Sequence, residues 1–285
     1  MSSTSSMSPS PSAAQSEHAH RPWFGWFISD CIAVAKRQVI TVLRIPQTLF
    51  FALFQPVLFV LLFSFVFGGA IPLPNGGNYR EYLLPGIFAQ TVTFAVAAAT
   101  VGVAEDTSKG IMDRFRTLPV NQAAVMVGRS FAEMVERMLV ITVMSMAGLL
   151  VGWRTHASFA SVLSAYAMYL LFAYALTWMG IYVGLSVPSV QVAQTAGVAW
   201  VFPLTFLSNA FVPTQGMPVL LQHFAAWNPI SCLALGGRTL FGNPVGVPGS
   251  EFPQQHPVLM AFLWSSAIIA VFATLAVRKF RSKRG

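Results

Sequence analysis

An all-α integral membrane fold of six transmembrane helices is predicted by three observations on this 285-residue chain. Predominantly apolar stretches of about 18 to 29 residues cover 49–67, 83–104, 132–152, 159–187, 195–212 and 258–277, each near the roughly 20 residues that cross a hydrocarbon core. Hydrophobic residues make up 55% and charged residues 9%, with a mean hydropathy of +0.64. A soluble fold could not bury that much apolar surface, so the bilayer is the expected solvent. The third observation is where the charge lies. Arg21, Lys36, Arg37, Arg44, Lys109, Arg114, Arg116, Arg129, Arg137, Arg278, Lys279, Arg281, Lys283 and Arg284, fourteen of the 17 basic residues, fall on one side of a six-span topology. Only Arg80, Arg154 and Arg238 fall on the other. By the positive-inside rule both termini are expected in the cytosol, and the net charge of +8 records orientation rather than nucleic-acid binding.

Residues 1–21 are rich in Ser, Pro and Ala and read as a disordered cytosolic tail without a signal-peptide core. From Pro22 to Arg44 the periodicity is that of an amphipathic helix: Phe24, Ile28, Cys31, Ile32, Ala35, Val39, Val42 and Leu43 share one face, while Asp30, Arg37, Thr41 and Arg44 mark the other. With Trp23 and Trp26 this predicts an interfacial helix, and Pro46 separates it from span one. Cys31 and Cys232 are expected on opposite sides of the membrane, which excludes a disulfide between them.

The loop after span two is the most informative polar segment. Ile111, Phe115 and Leu118 follow i, i+4, i+7 spacing, flanked by Asp113, Arg114 and Arg116 and stopped by Pro119. Such a stripe on a short cytosolic helix marks a docking surface or a face that rests on the membrane, with a mere turn between spans as the plain alternative. At the start of span three, Arg129, Glu133, Glu136 and Arg137 form a cluster in which Arg129 with Glu133 and Glu133 with Arg137 stand at i, i+4. It reads either as a structural ion-pair cluster near the cytosolic boundary or as a gate. Between spans five and six, Val219 to Trp227 and Ile230 to Leu240 read as two short helices on the external side, separated by Asn228 and Pro229 and ended by Gly242. Each is too short to cross, so re-entrant elements are expected.

No G-x-x-x-x-G-K followed by Ser or Thr occurs, nor a G-x-S-x-G elbow, and no cluster of His, Cys or carboxylates has metal-ligand spacing. Neither an enzyme nor an ion-driven secondary transporter fits, since no carboxylate pair lies deep in a span and no duplicated half is visible. Energy for transport is then expected from a second polypeptide on the cytosolic face.

From residue 22 onward the chain resembles an ABC type-2 transporter permease, close to the daunorubicin-resistance permease subfamily of bacterial multidrug exporters. The resemblance rests on Gln55 and Pro56 in span one; Leu84, Pro85 and Gly86 opening span two; Gly110, Asp113, Arg114, Phe115, Arg116, Leu118 and Pro119 in the first cytosolic loop; Phe211, Val212, Pro213, Met217 and Pro218 after span five; and Asn228, Pro229, Arg238 and Gly242. It implies an ABC type-2 transmembrane domain over 22–285, paired with a second permease as homodimer or heterodimer. It also implies cytosolic ATPase subunits that bind ATP and Mg, this chain binding no cofactor or metal itself. By the same resemblance the coupling element comprises Glu105, Asp106, Gly110, Ile111, Asp113, Arg114, Phe115, Arg116, Leu118 and Pro119, and Asn228, Pro229 and Arg238 belong to the external helices.

The sparse polar groups of spans two and five bear on the cargo. Gln90, Thr93, Phe94, Phe206 and Asn209 are the expected substrate path, and 24 Phe and 12 Met make an apolar, adaptable lining. Export of hydrophobic drugs or antibiotics from a bacterial cell, across its inner (cytoplasmic) membrane, is the expectation. Export of a lipid or lipid-linked glycan by the same architecture is the alternative, and a receptor or scaffold role is the third.

Overall fold

The computed structural model describes residues 46–66, 73, 77–110, 122–246 and 249–282. The tail, the interfacial helix and the docking stripe Ile111 to Pro119 lie outside the described residues. Among the described residues every regular element is helical. In chain order they are α1 (Pro46–Val66), α2 (Tyr79–Thr93), α3 (Ala95–Ser108), α4 (Gln122–Val151), α5 (Phe159–Ser186), α6 (Val190–Val198), α7 (Val201–Phe206), a 3₁₀ turn (Thr214–Gly216), α8 (Val219–Trp227), α9 (Pro229–Phe241), α10 (Phe252–Gln255) and α11 (Pro257–Ser282).

Among the described residues four helices are long and apolar enough to cross a membrane: Tyr79–Ser108, Glu133–Val151, Phe159–Ser186 and Pro257–Phe280. The first of these is α2 and α3 in line, interrupted only at Phe94. Just before the interruption the Thr93 hydroxyl donates to the Ala89 carbonyl at 2.7 Å, a back-bond that helices accommodate by bending. α1, at 21 residues, occupies the place of the first predicted span, with Pro56 inside it. Asn78 starts α2 a full turn before the apolar stretch begins, its side chain accepting from the Arg80 amide at 3.0 Å.

Helix α5 is the centre of the bundle, packed most extensively against α3 and α11. Its approach to α3 depends on Gly180 and Gly184, four residues apart. A Cβ on Gly180 would stand 2.6 Å from the Val96 carbonyl oxygen, and one on Gly184 would stand 2.6 Å from that of Thr100. The two backbones therefore touch, as small-xxx-small pairs allow between membrane helices. Around Phe88 the core is aromatic: Trp153, Tyr169 and Phe241 surround it edge-on at 5.7, 5.8 and 6.1 Å.

The fifth predicted span, 195–212, is not one helix. α6 ends at Val198, α7 covers only Val201–Phe206, and residues 207–212 are non-helical. Helix ends and irregular backbone leave carbonyls without intrahelical donors, which lipid cannot satisfy. Here side chains from elsewhere supply the donors. Asn228 Nδ2 reaches Leu204 O at 2.7 Å and Leu207 O at 3.0 Å; the Tyr82 hydroxyl reaches Asn209 O at 3.0 Å; the Tyr79 hydroxyl reaches Phe211 O at 2.9 Å. Arg238 takes Asn209 O and Ala210 O at 2.8 and 3.0 Å. Gly86 completes the seat, because any side chain there would collide with the Ala210 carbonyl.

One end of the bundle collects Arg80, Arg154 and Arg238. Arg80 donates to Val151 O at 2.8 Å, Asn243 donates to Arg154 O at 2.7 Å while accepting from Trp153 Nε1 at 2.9 Å, and Arg238 donates to Tyr82 O at 2.8 Å. The three basic residues assigned by sequence to a common side thus share one end of the molecule.

Candidate functional site

The expected substrate-path residues fall in two regions of the chain. Gln90 and Phe94 line a cleft of about 230 Å³ between α1, α2, α3 and α4, together with Gln55, Pro56, Phe59, Thr91, Ala98, Glu136 and Arg137. Thr93 is buried and closed upon its own helix. Phe206 is exposed at the end of α7, and Asn209 belongs to the non-helical segment under Arg238. The link between the two regions is aromatic, since Phe94 meets Phe202 of α7 edge-on at 5.5 Å.

What the cleft unites is the Gln90–Phe94 pair from span two with the Glu136–Arg137 pair from span three. Helical spacing explains each half separately: Gln90 and Phe94 stand one turn apart across the break in α2–α3, and α4 turns Glu136 and Arg137 toward them. Arg137 meets Glu136 at 3.7 Å. Glu133 accepts from the Thr177 hydroxyl of α5 at 3.3 Å. Arg129 lies on α4, with its side chain outside what the structure describes.

The cleft is polar at a depth where polarity is costly. Gln90 is 2% exposed and Arg137 8% exposed. The Gln90 side-chain oxygen and the Arg137 Nε are both buried with no hydrogen-bond partner among the described residues. An unpaired buried polar atom costs about 1–3 kcal/mol, and both of these are covered by protein rather than open to the cleft. Phe59, Phe94, Pro56 and Ala98 provide apolar walls around them. Chemically the cleft can hold the polar end of a mostly apolar molecule; among the described residues no group of three or more His, Cys, Asp or Glu is placed to hold a metal.

Of the coupling element, Glu105 and Asp106 lie at the end of α3, where Lys109 pairs with Glu105 at 3.0 Å. Gly110 follows with φ +67°, a left-handed turn that ends the helix. Ile111, Asp113, Arg114, Phe115, Arg116, Leu118 and Pro119 lie outside the described residues.

At the opposite end Asn228 caps α9, accepting from the Ile230 amide at 2.9 Å, and Pro229 occupies the first turn, where its missing N–H costs nothing. Arg238 of α9 is 0% exposed and stacks over the Tyr82 ring at 3.6 Å. Burial holds its guanidinium below the ordinary arginine value, and the tyrosine neighbours oppose that shift. Sequence reasoning named Arg238 and Asn209 but missed Tyr79 and Tyr82 as their companions. The available signal was an arginine in an apolar stretch, which has to find acceptors somewhere in the fold.

Cys232, expected on the external side, is 1% exposed, and burial raises its thiol to about 12. Glu251, before α10, accepts from Trp227 Nε1 at 3.1 Å and pairs with His223, tying α8 to that loop.

A family model described as ABC-2 type transporter matches residues 29–241 of the chain. The "Daunorubicin resistance ABC transporter permease protein DrrB1" of Streptomyces coeruleorubidus is 28% identical over 265 residues, covering 92% of this chain and 90% of that protein. The "Probable doxorubicin resistance ABC transporter permease protein DrrC" of Mycobacterium tuberculosis is 22% identical over 250 residues, 87% of this chain and 86% of the relative.

Proposed function

The chain belongs to the ABC-2 type transporter family, and from that premise we propose that it is the transmembrane permease subunit of an ATP-driven exporter that moves hydrophobic drugs or antibiotics out of the cell. The carrying observation is the cleft between α1, α2, α3 and α4, where Gln90, Glu136 and Arg137 stand beside Pro56, Phe59 and Phe94 inside an otherwise apolar bundle. Polar groups at such depth mark the route of a solute. The names of the relatives, resistance permeases for daunorubicin and doxorubicin, favour a drug as cargo over a lipid-linked glycan.

In this reading the chain is no enzyme. ATP and Mg reside on a separate cytosolic ATPase, docked on the loop from Glu105 to Pro119, and a second permease completes the pathway. Arg80, Arg154 and Arg238 mark the outer end of the bundle, with both termini on the cytosolic side of the inner membrane.

The test is reconstitution in lipid vesicles with and without an ATPase partner. The permease alone hydrolyses no ATP; with the partner, hydrolysis rises on addition of a hydrophobic drug and the drug moves. Hydrolysis by the isolated chain, or a complex indifferent to every drug tried, overturns the reading.

A further inference from the structure

A second recess, of about 340 Å³, opens sideways between α4 and α5 and shares no lining residue with the cleft. Met138, Ile141, Met146 and Leu149 line it from α4, Leu163 and Leu170 from α5. Its hydroxyls are spent within it: Thr142 donates to Met138 O at 2.7 Å, Ser145 donates to Ile141 O at 2.7 Å, and the Tyr166 hydroxyl donates to Ser145 at 2.8 Å. The recess thus suits an apolar occupant. From Met138 to Leu149 it runs about 16 Å at 1.5 Å per residue, half of a roughly 30 Å hydrocarbon core. Spread over that length, its volume gives a section about 5 Å across, too narrow for a helix of about 10–12 Å and wide enough for one extended hydrocarbon chain.

A cation stands at the Leu149 end. Arg154 Nη1 donates to Leu149 O at 2.7 Å and to Trp153 O at 2.8 Å, which pins an exposed guanidinium beside the recess. Its Nε and Nη2 have no partner among the described residues. Glu81, at the same end, pairs with His156 at 3.1 Å, and among the described residues no acid forms an ion pair with Arg154. Leu150 and Phe159, both exposed, flank it in the chain, so the charge sits where apolar surface ends.

We infer that the α4–α5 recess holds one acyl chain of an anionic phospholipid from the leaflet at that end, its headgroup phosphate hydrogen-bonded by Arg154. The narrow apolar recess selects the chain, and the guanidinium selects the headgroup, since a phosphate accepts two of its N–H groups at once. A net-anionic headgroup leaves the attraction uncancelled, whereas the choline of a zwitterionic lipid offsets it. Such a lipid is a resident of the fold, whatever the permease moves.

The test uses the full chain in phosphatidylcholine nanodiscs, doped in turn with phosphatidylglycerol and phosphatidylcholine probes that carry the same diazirine acyl chain. After irradiation, peptide mapping compares labelling of segments 138–149 and 163–170 with labelling of α11, whose exposed Leu263 and Val271 report ordinary surrounding lipid. Relative to α11, the phosphatidylglycerol probe should label the recess about fivefold more than the phosphatidylcholine probe does, the factor for one basic residue at anionic lipid. Unlabelled phosphatidylglycerol should compete, and the same amount of added phosphatidylcholine should not. Arg154→Gln should lower the phosphatidylglycerol signal to the phosphatidylcholine level, while Arg154→Lys, which keeps the charge, retains most of it. Ala167→Trp, at an exposed position lining the recess, should fill it and abolish the excess over α11 for either probe.

Equal labelling of recess and α11, an excess indifferent to headgroup, or an excess unchanged in Arg154→Gln or Ala167→Trp with the parent's melting temperature overturns the inference. A Leu163→Cys chain that crosslinks to a second copy beyond the parent's level, with the recess unlabelled by lipid, identifies a protein occupant and overturns it too. The headgroup comparison and the competition are made on the unsubstituted chain, so they decide even where every variant misfolds.

Discussion

Arg238 and Asn209, 29 residues apart, are joined twice: one guanidinium nitrogen donates to the Asn209 main-chain carbonyl at 2.8 Å and the other to its side-chain oxygen at 3.3 Å. Through this pair α9 holds the non-helical end of the fifth hydrophobic segment, with Tyr82 filling the remaining face of the guanidinium. The cation serves as a multiple donor, and its role here is structural.

Arg238→Met should therefore destabilise the permease by about 3 kcal/mol or more, because it strands several buried carbonyls while leaving the volume nearly unchanged. Thermal unfolding in detergent measures the loss. Arg238→Lys should recover only part of it, since an ammonium cannot span acceptors presented by Tyr82, Asn209 and Ala210 at once. A variant as stable as the parent would show that these bonds contribute nothing net.

Cys232 gives a pH-dependent readout. Its thiol is raised by burial from 9.0 to about 12, so the fold favours the neutral form. The contribution to stability is complete below pH 9.0 and is lost as the pH climbs toward about 12, where an unfolded chain would already have released the proton. A membrane-impermeant maleimide should leave Cys232 unmodified in intact cells at neutral pH and react once the protein is unfolded. Rapid labelling of the native chain would contradict the burial of α9.

Gly180→Leu and Gly184→Leu should each separate α5 from α3, as the new side chains meet the Val96 and Thr100 carbonyls. Overpacking of this kind costs about 1–3 kcal/mol. Lower yield and lower melting temperature are the expected results, with Gly180→Ala milder than Gly180→Leu. A Gly180→Leu variant with the parent's melting temperature would mean the helices do not approach this closely.

Phe115→Ala tests the proposed docking stripe. If Phe115 anchors the loop in a pocket of the ATPase, truncation costs binding about 2 kcal/mol or more. Copurification of the ATPase and drug resistance should both fall while membrane abundance stays near the parent level, and Phe252→Ala at the other end of the bundle should leave copurification intact. Equal ATPase recovery with Phe115→Ala would make the loop an ordinary connection.

Where hydropathy alone decides an element, the sequence was readable almost to the residue: 159–187 against Phe159–Ser186, and 258–277 inside Pro257–Ser282. Span two ran a turn further at each end because Asn78 caps it and Glu81, Glu105 and Asp106 continue it without adding hydropathy. The fifth span failed for a different reason. Residues 195–212 are as apolar as a crossing helix, and what breaks them is a set of donors at Tyr79, Tyr82, Asn228 and Arg238 whose nearness only the fold creates. The same break places Phe206 and Asn209 in a different region from Gln90. The i, i+4 rule looks only along α4, so it could not show that Thr177 of α5 also reaches Glu133.

The donors that satisfy residues 204–211 come from both earlier and later in the chain, and this sets an order of assembly. Tyr79 and Tyr82 have left the ribosome before Asn209 is made, but Asn228 and Arg238 follow it. During synthesis the carbonyls of Leu204, Leu207 and Ala210 thus wait for partners that arrive some 20 to 30 residues later. A segment with unpaired carbonyls cannot rest in lipid. Its native conformation is therefore complete only once Asn228 and Arg238 are in place.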